Sequence, residues 1–278
     1  MSLEGGSAHR EAGPVRRSVV AEWASGWVAE TTTPEIYRAP IPAGPGAAVT
    51  LYARALEVRG AGAPDVERAR LDLGVPEAVA GAAPHRVSAY VSGRLCAVGA
   101  LRDAGYTGAG EVPKARGGAP VWPAGFVGSI THTGGLTIAA VATQRQAAGL
   151  GIDAERLLAT REATRITRVV VPEWAAAPDA RAIVRQCEWR EAVSVAFSAK
   201  ESLYKCLAPL FGGPIGFHDV EVAELDRARG VARLRLARGV GGLPRGAELL
   251  ARFCVADDRV HTFVVLPRLP ASPSRPPA

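Results

Sequence analysis

The spacing of apolar residues predicts one long helix in the first half of the chain, followed by strands. Apolar residues recur at roughly helical spacing over residues 84–104. Pro84 suits a first helical turn, and Gly105 suits the position just after the last one. Two later apolar runs, residues 137–142 and 150–153, have the length of buried strands. The pattern therefore predicts mixed secondary structure.

The second half of the chain repeats this mixture of helix and strands. Residues 188–207 predict a helix. Four further segments predict the strands of a C-terminal sheet: residues 218–225, 231–237, 247–256 and 259–266. Because strands and helices occur in both halves, we predict an α+β fold in which two similar halves meet near residue 145.

The two ends of the chain differ in composition from the rest. Residues 1–20 are mostly small and polar, which predicts a flexible arm, and the proline-rich residues 268–278 predict a disordered tail. Between them, residues 21–145 form the predicted N-terminal half and residues 146–267 the C-terminal half. No apolar run reaches the length of a membrane span, and no secretory signal is recognisable. We therefore expect a cytoplasmic protein that does not bind membranes.

Charge and composition narrow the class of partner. The formal net charge of +6 favours anionic partners, although simple solubility explains it equally well. Only three of the 33 basic residues are lysines, namely Lys114, Lys200 and Lys205. Because a lysine ammonium is more compact than the arginine fork and its pKa is more tunable, these are candidate positions where arginine cannot substitute. Four scattered cysteines without a C-x-x-C pair indicate unpaired thiols in a reducing compartment.

Two acidic residues lie at the end of a predicted strand. In Gly151-Ile152-Asp153-Ala154-Glu155 the acids Asp153 and Glu155 are two residues apart, so a strand directs both to one face. Such a pair is a hard oxygen site of the kind that Mg²⁺ uses together with waters and substrate phosphates. Taken alone, the pattern fits an exposed strand end with solvated acids better.

The predicted second helix contains the segment Phe197-Ser198-Ala199-Lys200-Glu201-Ser202-Leu203-Tyr204-Lys205. Glu201 and Lys205 are four residues apart and share one helical face. They could form an ordinary surface ion pair, and Ser198 with Glu201 also matches the S-x-x-E capping box of a helix start. The presence of two of the three lysines favours a functional role.

The segment Gly128-Ser129-Ile130-Thr131-His132-Thr133-Gly134-Gly135 combines glycines, hydroxyl groups and a histidine. Glycines let the backbone approach a phosphate, while Ser, Thr and His side chains donate hydrogen bonds to it. A turn between strands with a satisfied histidine is the alternative, and the segment is not a Walker loop because it lacks GK[ST].

Three basic residues precede this segment. Arg86 and Arg94 belong to the predicted helix, and eight residues turn by about 80° around a helix, so both can border one groove. Lys114 lies in a Gly- and Pro-rich segment, residues 106–128, that predicts a loop. A solvated helix face is the alternative for the two arginines.

In their order and spacing, these segments closely resemble the 4′-phosphopantetheinyl transferase superfamily. The resemblance spans about residues 84–225 and includes features of the branch with the enterobactin-type enzymes. It rests on residues 93–97, 120–125, 128–132, 151–155 and 197–205. The chain departs from that branch at Val98, where relatives often carry a basic residue.

The resemblance implies a pseudo-twofold pair of similar α/β halves with the active site at their interface. It implies transfer of the 4′-phosphopantetheine arm of coenzyme A to a serine of an apo carrier protein, with release of 3′,5′-ADP. Glu201 is the implied base, and Lys205 the residue that stabilises the leaving phosphate. The implied ligands of Mg²⁺, or of Mn²⁺ in its place, are Asp153, Glu155 and Glu201. The implied binding residues for coenzyme A are Arg86, Arg94, Lys114, Ser129, Thr131, His132 and Lys200.

The resemblance also implies the partners. These are carrier proteins or carrier domains of polyketide, nonribosomal peptide or fatty-acid synthases, which are typical of secondary metabolite biosynthesis. We expect the protein to act on them as a monomer and not to bind nucleic acid. Glu173 is a loose candidate for a further metal carboxylate. The runner-up functions are a non-catalytic coenzyme A or nucleotide-binding protein, a small trimeric holo-carrier synthase, and a nucleic-acid binder. The last is disfavoured because aromatic residues make up only 6% of the chain.

Overall fold

The computed structural model describes residues 36–44, 47–57, 75–109, 111–115, 117–176, 184–185, 187–211, 215–256 and 258–268. The predicted N-terminal arm lies outside the described residues, and so does the predicted tail apart from residue 268. The described part is an α+β fold with two sheets, as predicted.

The first sheet has four antiparallel strands in the order β1–β2–β4–β3. The strands are β1 (Ile36–Gly44), β2 (Ala47–Glu57), β3 (Phe126–Thr133) and β4 (Leu136–Thr143), and the helices of this half are α1 (Glu77–Ala80) and α2 (Pro84–Asp103). Helix α2 packs on one face of the sheet through a buried cluster that includes Ala97, Ala100 and Leu101. Because the side chains of the two alanines are small, the helix can lie close to the strands.

The second sheet has six strands in the order β5–β10–β9–β8–β7–β6, all antiparallel except the short β6–β7 pair. Its strands are β5 (Ala147–Arg156), β6 (Val184–Arg185), β7 (Val220–Asp226), β8 (Val231–Leu236), β9 (Glu248–Ala256) and β10 (Arg259–Pro267). Its helices are α3 (Thr160–Val170), α4 (Pro172–Ala176) and α5 (Trp189–Phe211), with a 3₁₀ turn at Phe217–Asp219. Helix α5 covers one face of this sheet and anchors the largest hydrophobic cluster.

Strand β5 separates the two halves because its alternate side chains point in opposite directions. Leu150, Ile152 and Ala154 join a buried cluster with residues of β2 and β4 in the first sheet. The intervening positions, which include Gly151 and Asp153, face helix α5. The strand can therefore place acidic side chains beside α5 while its apolar side chains hold the two sheets together.

The structure confirms most of the predicted elements and corrects three points. The helix predicted over residues 84–104 is α2, and the C-terminal strands lie within two residues of their predicted bounds. Strand β3 occupies a segment for which a turn was one alternative, and α3 and α4 had no counterpart in the sequence pattern. Helix α5 begins at Trp189, so Ser198 and Glu201 lie in its middle and the capping-box alternative is wrong.

Two findings concern the chemistry of the chain as a whole. In the described residues, no helix combines the length and the apolarity needed to cross a membrane. None of the four cysteines, all of which lie in the described part, forms a disulfide.

Candidate active site

Asp153 lies at the centre of the candidate site. Its side chain is buried, with a relative exposure of 3%, and it accepts hydrogen bonds from three side chains on two elements. Thr131 Oγ1 of β3 donates to Oδ1 at 3.1 Å, and Ser198 Oγ of α5 donates to Oδ2 at 2.8 Å. Lys205 Nζ, also from α5, lies 2.6 Å from Oδ1. Asp153 and Lys205 therefore form an ion pair inside the site.

A network of hydroxyl groups holds Asp153 against helix α5. Ser198 Oγ lies 2.9 Å from Thr262 Oγ1, and Thr262 Oγ1 donates to the Ser198 carbonyl at 2.9 Å. Ser202, one turn later, contacts the Thr262 hydroxyl at 2.7 Å. All three residues are fully buried. The network therefore joins α5 to β10, the neighbour of β5, and fixes the position from which Ser198 reaches Asp153.

Gly151 makes the close approach of β5 and α5 possible. A Cβ atom at this position would lie 1.8 Å from the Ser202 carbonyl oxygen and 2.6 Å from the Cys206 amide nitrogen, both of them backbone atoms of α5. No side chain fits into that space. The glycine therefore sets the distance between the strand that holds Asp153 and the helix that holds Lys205.

Glu155 and Glu201 complete an acidic cluster with Asp153. Burial, followed by the negative charge of Asp153, raises the pKa of Glu155 to about 7. Lys205 opposes this shift, and the charge of Glu201 adds a smaller increase. Burial and the charge of Asp153 likewise raise the pKa of Glu201. The three acids thus converge from β5 and α5, and Lys205 is the positive charge that compensates them.

The donor set of this cluster fits a hard divalent cation. Neither the Glu155 nor the Glu201 carboxylate forms a hydrogen bond to the described residues, so their oxygens are available as ligands. Three carboxyl groups against one ammonium leave an excess of negative charge that a cation would relieve. As the side chains stand, no three His, Cys, Asp or Glu residues of the described chain have the spacing of a preformed metal site. The predicted metal ligands therefore stay a prediction.

Lys205 is held at the centre of the site by three acceptors. Besides Asp153, its ammonium contacts the Ile152 carbonyl at 3.2 Å and Thr131 Oγ1 at 3.3 Å. The side chain is about a quarter exposed, so it also reaches the surface of the site. Its three donors converge in a space that suits a compact ammonium better than a planar guanidinium.

Two hydroxyl groups of β3 connect the halves. Ser129 and Thr131 are both buried, and their hydroxyls accept hydrogen bonds from the Ile152 and Ala154 amides of β5 at 3.0 and 3.2 Å. Neither residue lines the cleft described next. In the structure these two predicted phosphate-binding residues bridge the sheets.

A cleft of about 1050 Å³ opens on the other side of β3. Its walls come from α2, from the loop after it, and from the turn between β3 and β4. The cleft brings together four of the predicted binding residues for coenzyme A: Arg86, Arg94, Lys114 and His132. Three of the four carry a permanent positive charge near neutral pH, so the cleft favours an anionic ligand.

Arg94 is the most enclosed of these cations. Its guanidinium lies 4.3 Å from the centre of the Tyr90 ring, one turn earlier on α2. Its Nε atom is buried without a hydrogen-bond partner in the described residues. Because a buried, unpaired guanidinium nitrogen is costly, this position is suited to a ligand that brings an acceptor.

Comparison with known proteins agrees with this geometry. A family model described as the 4′-phosphopantetheinyl transferase N-terminal domain matches residues 75–142, and the 4′-phosphopantetheinyl transferase superfamily model matches residues 149–259. The chain is 35% identical over 192 residues to the 4′-phosphopantetheinyl transferase Svp of Streptomyces mobaraensis, a match that covers 68% of this chain and 75% of Svp. The chain belongs to the 4′-phosphopantetheinyl transferase superfamily. Phosphopantetheinyl transfer is therefore its activity, as the sequence segments predicted.

Two more relatives extend the comparison. The transferase is 33% identical over 144 residues to enterobactin synthase component D of Escherichia coli O157:H7, which covers 51% of this chain and 64% of that protein. It is also 33% identical over 144 residues to the 4′-phosphopantetheinyl transferase Npt of Nocardia iowensis, which covers 48% of this chain and 57% of Npt. The chain thus spans less than two thirds of the length of these two relatives.

Lys200 of the transferase points away from both the acidic cluster and the cleft. It is buried, and its ammonium donates to the Val170 carbonyl at 2.5 Å and to the Phe217 carbonyl at 3.0 Å. Glu173, the loose candidate for a metal ligand, lies 3.5 Å from this ammonium and accepts the Val222 amide at 2.8 Å. Burial lowers the pKa of Lys200, and Glu173 opposes that shift. In the structure both residues contribute to the packing of α5 against its neighbours, and binding of coenzyme A by Lys200 stays a prediction.

Sequence reasoning missed the residues that support the site. Ser198 and Tyr90 each contact a predicted site residue, and Thr262 contacts Ser198, yet none was selected as a candidate. Ser198 lies three residues before Glu201, so the helical spacing could have identified it. Tyr90 lies four residues before Arg94, so the same spacing could have identified it as well. Thr262 carries no such signal, because its contact depends on strand pairing.

Proposed function

We propose that this transferase moves the 4′-phosphopantetheine arm of coenzyme A to a serine of an apo carrier protein in a Mg²⁺-dependent reaction. One observation carries the proposal. Asp153, Glu155, Glu201 and Lys205 come together from β5 and α5, next to a cleft lined by basic residues. An acidic cluster beside a basic cleft is the arrangement that a reaction at a pyrophosphate requires.

Binding of coenzyme A uses the cleft. Arg86 and Lys114 are exposed and can meet phosphate groups as the substrate enters, while Arg94 offers its buried guanidinium deeper in the cleft. His132 lies on strand β3 and lines the cleft. The preceding residue, Thr131, donates to Asp153 on the opposite face of the same strand. The cleft and the acidic cluster therefore lie on the two faces of β3, and one extended substrate can reach both.

A bound Mg²⁺ ion would neutralise the negative charge of the pyrophosphate, and Asp153, Glu155 and Glu201 would hold it. Glu201 accepts the proton of the carrier serine, because its oxygens have no hydrogen bond to the described residues and burial makes its carboxylate a stronger base. The serine oxygen then forms a bond to the phosphorus that carries the pantetheine arm, while the bridging P–O bond breaks. Lys205 stabilises the negative charge that appears on the departing 3′,5′-ADP.

The proposal extends to features beyond the site. Each half pairs a sheet with one long helix, α2 on the first and α5 on the second, which supports a pseudo-twofold relation. We further propose that residues 21–145 and 146–267 are the two halves, that the enzyme acts as a monomer in the cytoplasm, and that its carriers belong to secondary metabolism.

Mass spectrometry tests the proposal directly. Purified protein incubated with coenzyme A, Mg²⁺ and an apo carrier protein should increase the carrier mass by about 340 Da, the mass of a phosphopantetheine arm. Addition of EDTA should stop the reaction, and Mg²⁺ or Mn²⁺ should restore it. Binding of coenzyme A without a mass increase on any of a panel of polyketide, peptidyl and acyl carriers would favour the non-catalytic alternative.

A further inference from the structure

The end of strand β5 places an arginine of the C-terminal half beside the first sheet. Arg156 is the last residue of the strand, and it is exposed. Ile152 and Ala154 pack toward the first sheet, so the alternation of the strand directs Arg156 to the same side. Its guanidinium lies against Gly134, where a Cβ atom would be 2.8 Å from Nε and 3.0 Å from Nη2. The arginine therefore rests on the turn between β3 and β4.

Two glycines give this turn its shape. Gly134 and Gly135 connect β3 to β4 and have φ angles of +52° and +88°. Positive φ at both central positions is typical of a two-residue hairpin turn, and glycine adopts it most readily. Because the turn has no side chain, a guanidinium can lie directly on its backbone. Both glycines also line the cleft, next to His132. Arg156 is therefore at the border of the cleft, although it belongs to the other half.

The charge of Arg156 is not neutralised by an acid of the described chain. Its side chain forms no hydrogen bond or ion pair with a described residue. The residue opposite it on β10 is Arg259, a second cation, and like charges directly opposite each other on neighbouring strands repel. The adjacent acid, Glu155, belongs to the acidic cluster on the other side of β5. An anion from outside the chain would therefore relieve an unfavourable arrangement.

Arg156 lies between the two parts of the candidate site. It follows Glu155 of the acidic cluster directly in sequence, and it contacts the turn that lines the cleft. A substrate that extends from the cleft to the acidic cluster has to cross this border. The four basic residues already placed in the cleft all come from the N-terminal half: Arg86, Arg94, Lys114 and His132. Arg156 adds a positive charge from the C-terminal half.

We propose that Arg156 binds a phosphate group of coenzyme A at the border between the cleft and the acidic cluster, an inference that rests on the proposed function. A guanidinium donates two parallel hydrogen bonds to a phosphate, and its planar shape suits a position on a bare backbone turn. Coenzyme A carries this chemistry at two places, the pyrophosphate and the 3′-phosphate. In either case the nucleotide is held by both halves of the protein.

Removal of the guanidinium tests the proposal. Arg156→Gln should weaken binding of coenzyme A, measured by isothermal titration calorimetry without a carrier, by about five- to tenfold, the effect of losing one charge-assisted hydrogen bond at an exposed site. The difference from the wild type should shrink at high salt. Arg156→Lys should recover part of the affinity, because it keeps the charge and loses the fork. The KM for the carrier should stay within about twofold of the wild-type value, since only binding of the other substrate is changed.

A second ligand identifies the phosphate group. 3′-Dephospho-coenzyme A has the pyrophosphate but lacks the 3′-phosphate. If Arg156 binds the 3′-phosphate, the wild type and Arg156→Gln should bind this ligand equally well. If it binds the pyrophosphate, the variant should lose the same factor of affinity for both ligands. Either result supports the proposal and names the group.

Arg229→Gln is the matched control for net charge. Arg229 is an exposed arginine in the turn between β7 and β8, and its change to glutamine should leave the affinity for coenzyme A unaltered. Equal binding by the wild type and Arg156→Gln, or equal losses in the two variants, would overturn the inference. So would a higher KM for the carrier with unchanged affinity for coenzyme A. Because binding is measured without turnover, a wild type that binds coenzyme A but transfers nothing would refute the proposed function alone.

Discussion

Ser198 Oγ donates a hydrogen bond of 2.8 Å to Asp153 Oδ2 across the contact between helix α5 and strand β5. On its other side the same hydroxyl meets Thr262, so the carboxylate is held by a chain of buried groups. Asp153 is therefore placed by the tertiary structure before any substrate binds. This relationship leads to the first of four predictions.

Ser198→Ala should make the Asp153 side chain more mobile. The variant leaves one buried carboxylate oxygen without its donor, which should lower the free energy of unfolding by about 1.5–3 kcal/mol. It should also raise the Mg²⁺ concentration that gives half-maximal transfer, because a mobile carboxylate is a poorer ligand. Urea unfolding and a Mg²⁺ titration of activity measure the two effects.

Ser194→Ala is the matched control for this variant. Ser194 lies one turn earlier on α5, is equally buried, and accepts the Leu158 amide at 3.0 Å at a distance from the acidic cluster. Its loss should reduce stability without changing the Mg²⁺ titration. An identical Mg²⁺ requirement in the Ser198→Ala variant and the wild type would contradict the positioning role.

Glu201→Gln should remove transfer while preserving the fold. The amide has the same shape but cannot accept the serine proton, so we expect kcat to fall by about 10²–10⁴-fold. The melting temperature should change little, since the Glu201 side chain forms no hydrogen bond to the described residues. Glu188→Gln, at a largely exposed position next to the start of α5, should retain full activity. Substantial transfer by the Glu201→Gln enzyme would assign the base elsewhere.

Lys205→Arg tests whether the rare lysines are irreplaceable. The ammonium of Lys205 contacts three acceptors in a confined space, whereas a guanidinium is planar and larger. We expect kcat/KM for the carrier to fall by at least about 100-fold, the effect of losing one well-placed donor. Lys114→Arg is the comparison, because Lys114 is exposed at the rim of the cleft and the larger group has room there. Equal activity of both variants would make the lysine composition a coincidence.

Gly151→Ala should destabilise the contact between β5 and α5. The new methyl group would lie 1.8 Å from the Ser202 carbonyl oxygen, so the strand and the helix have to move apart. Overpacking of this kind costs about 1–3 kcal/mol, and a backbone clash belongs at the upper end of that range. Gly117→Ala, where nothing lies within 4 Å of the added atom, should be neutral in the same thermal unfolding experiment. A stable Gly151→Ala protein would show that the helix can shift without cost.

The sequence alone predicted helices α2 and α5 and strand β5, which carry most of the candidate site. Helix α2 and strand β5 follow directly from apolar periodicity, because a buried face imposes its period on the chain. The order of the acidic and basic segments also identified the superfamily. Sequence could not predict β3 as a strand, because glycines, threonines and a histidine have no clear period.

Only the tertiary structure decided which neighbouring residues act together. Lys200 and Glu201 are adjacent in sequence, yet the first contacts α3 and the second the acidic cluster. Ser129 and Thr131 have the residue types of phosphate ligands, and in the structure their hydroxyls accept hydrogen bonds from backbone amides of β5. Side chains one residue apart on a helix point about 100° apart, and alternate side chains on a strand face opposite sides. The partner of each residue therefore depends on which elements pack around it, and local sequence does not contain that information.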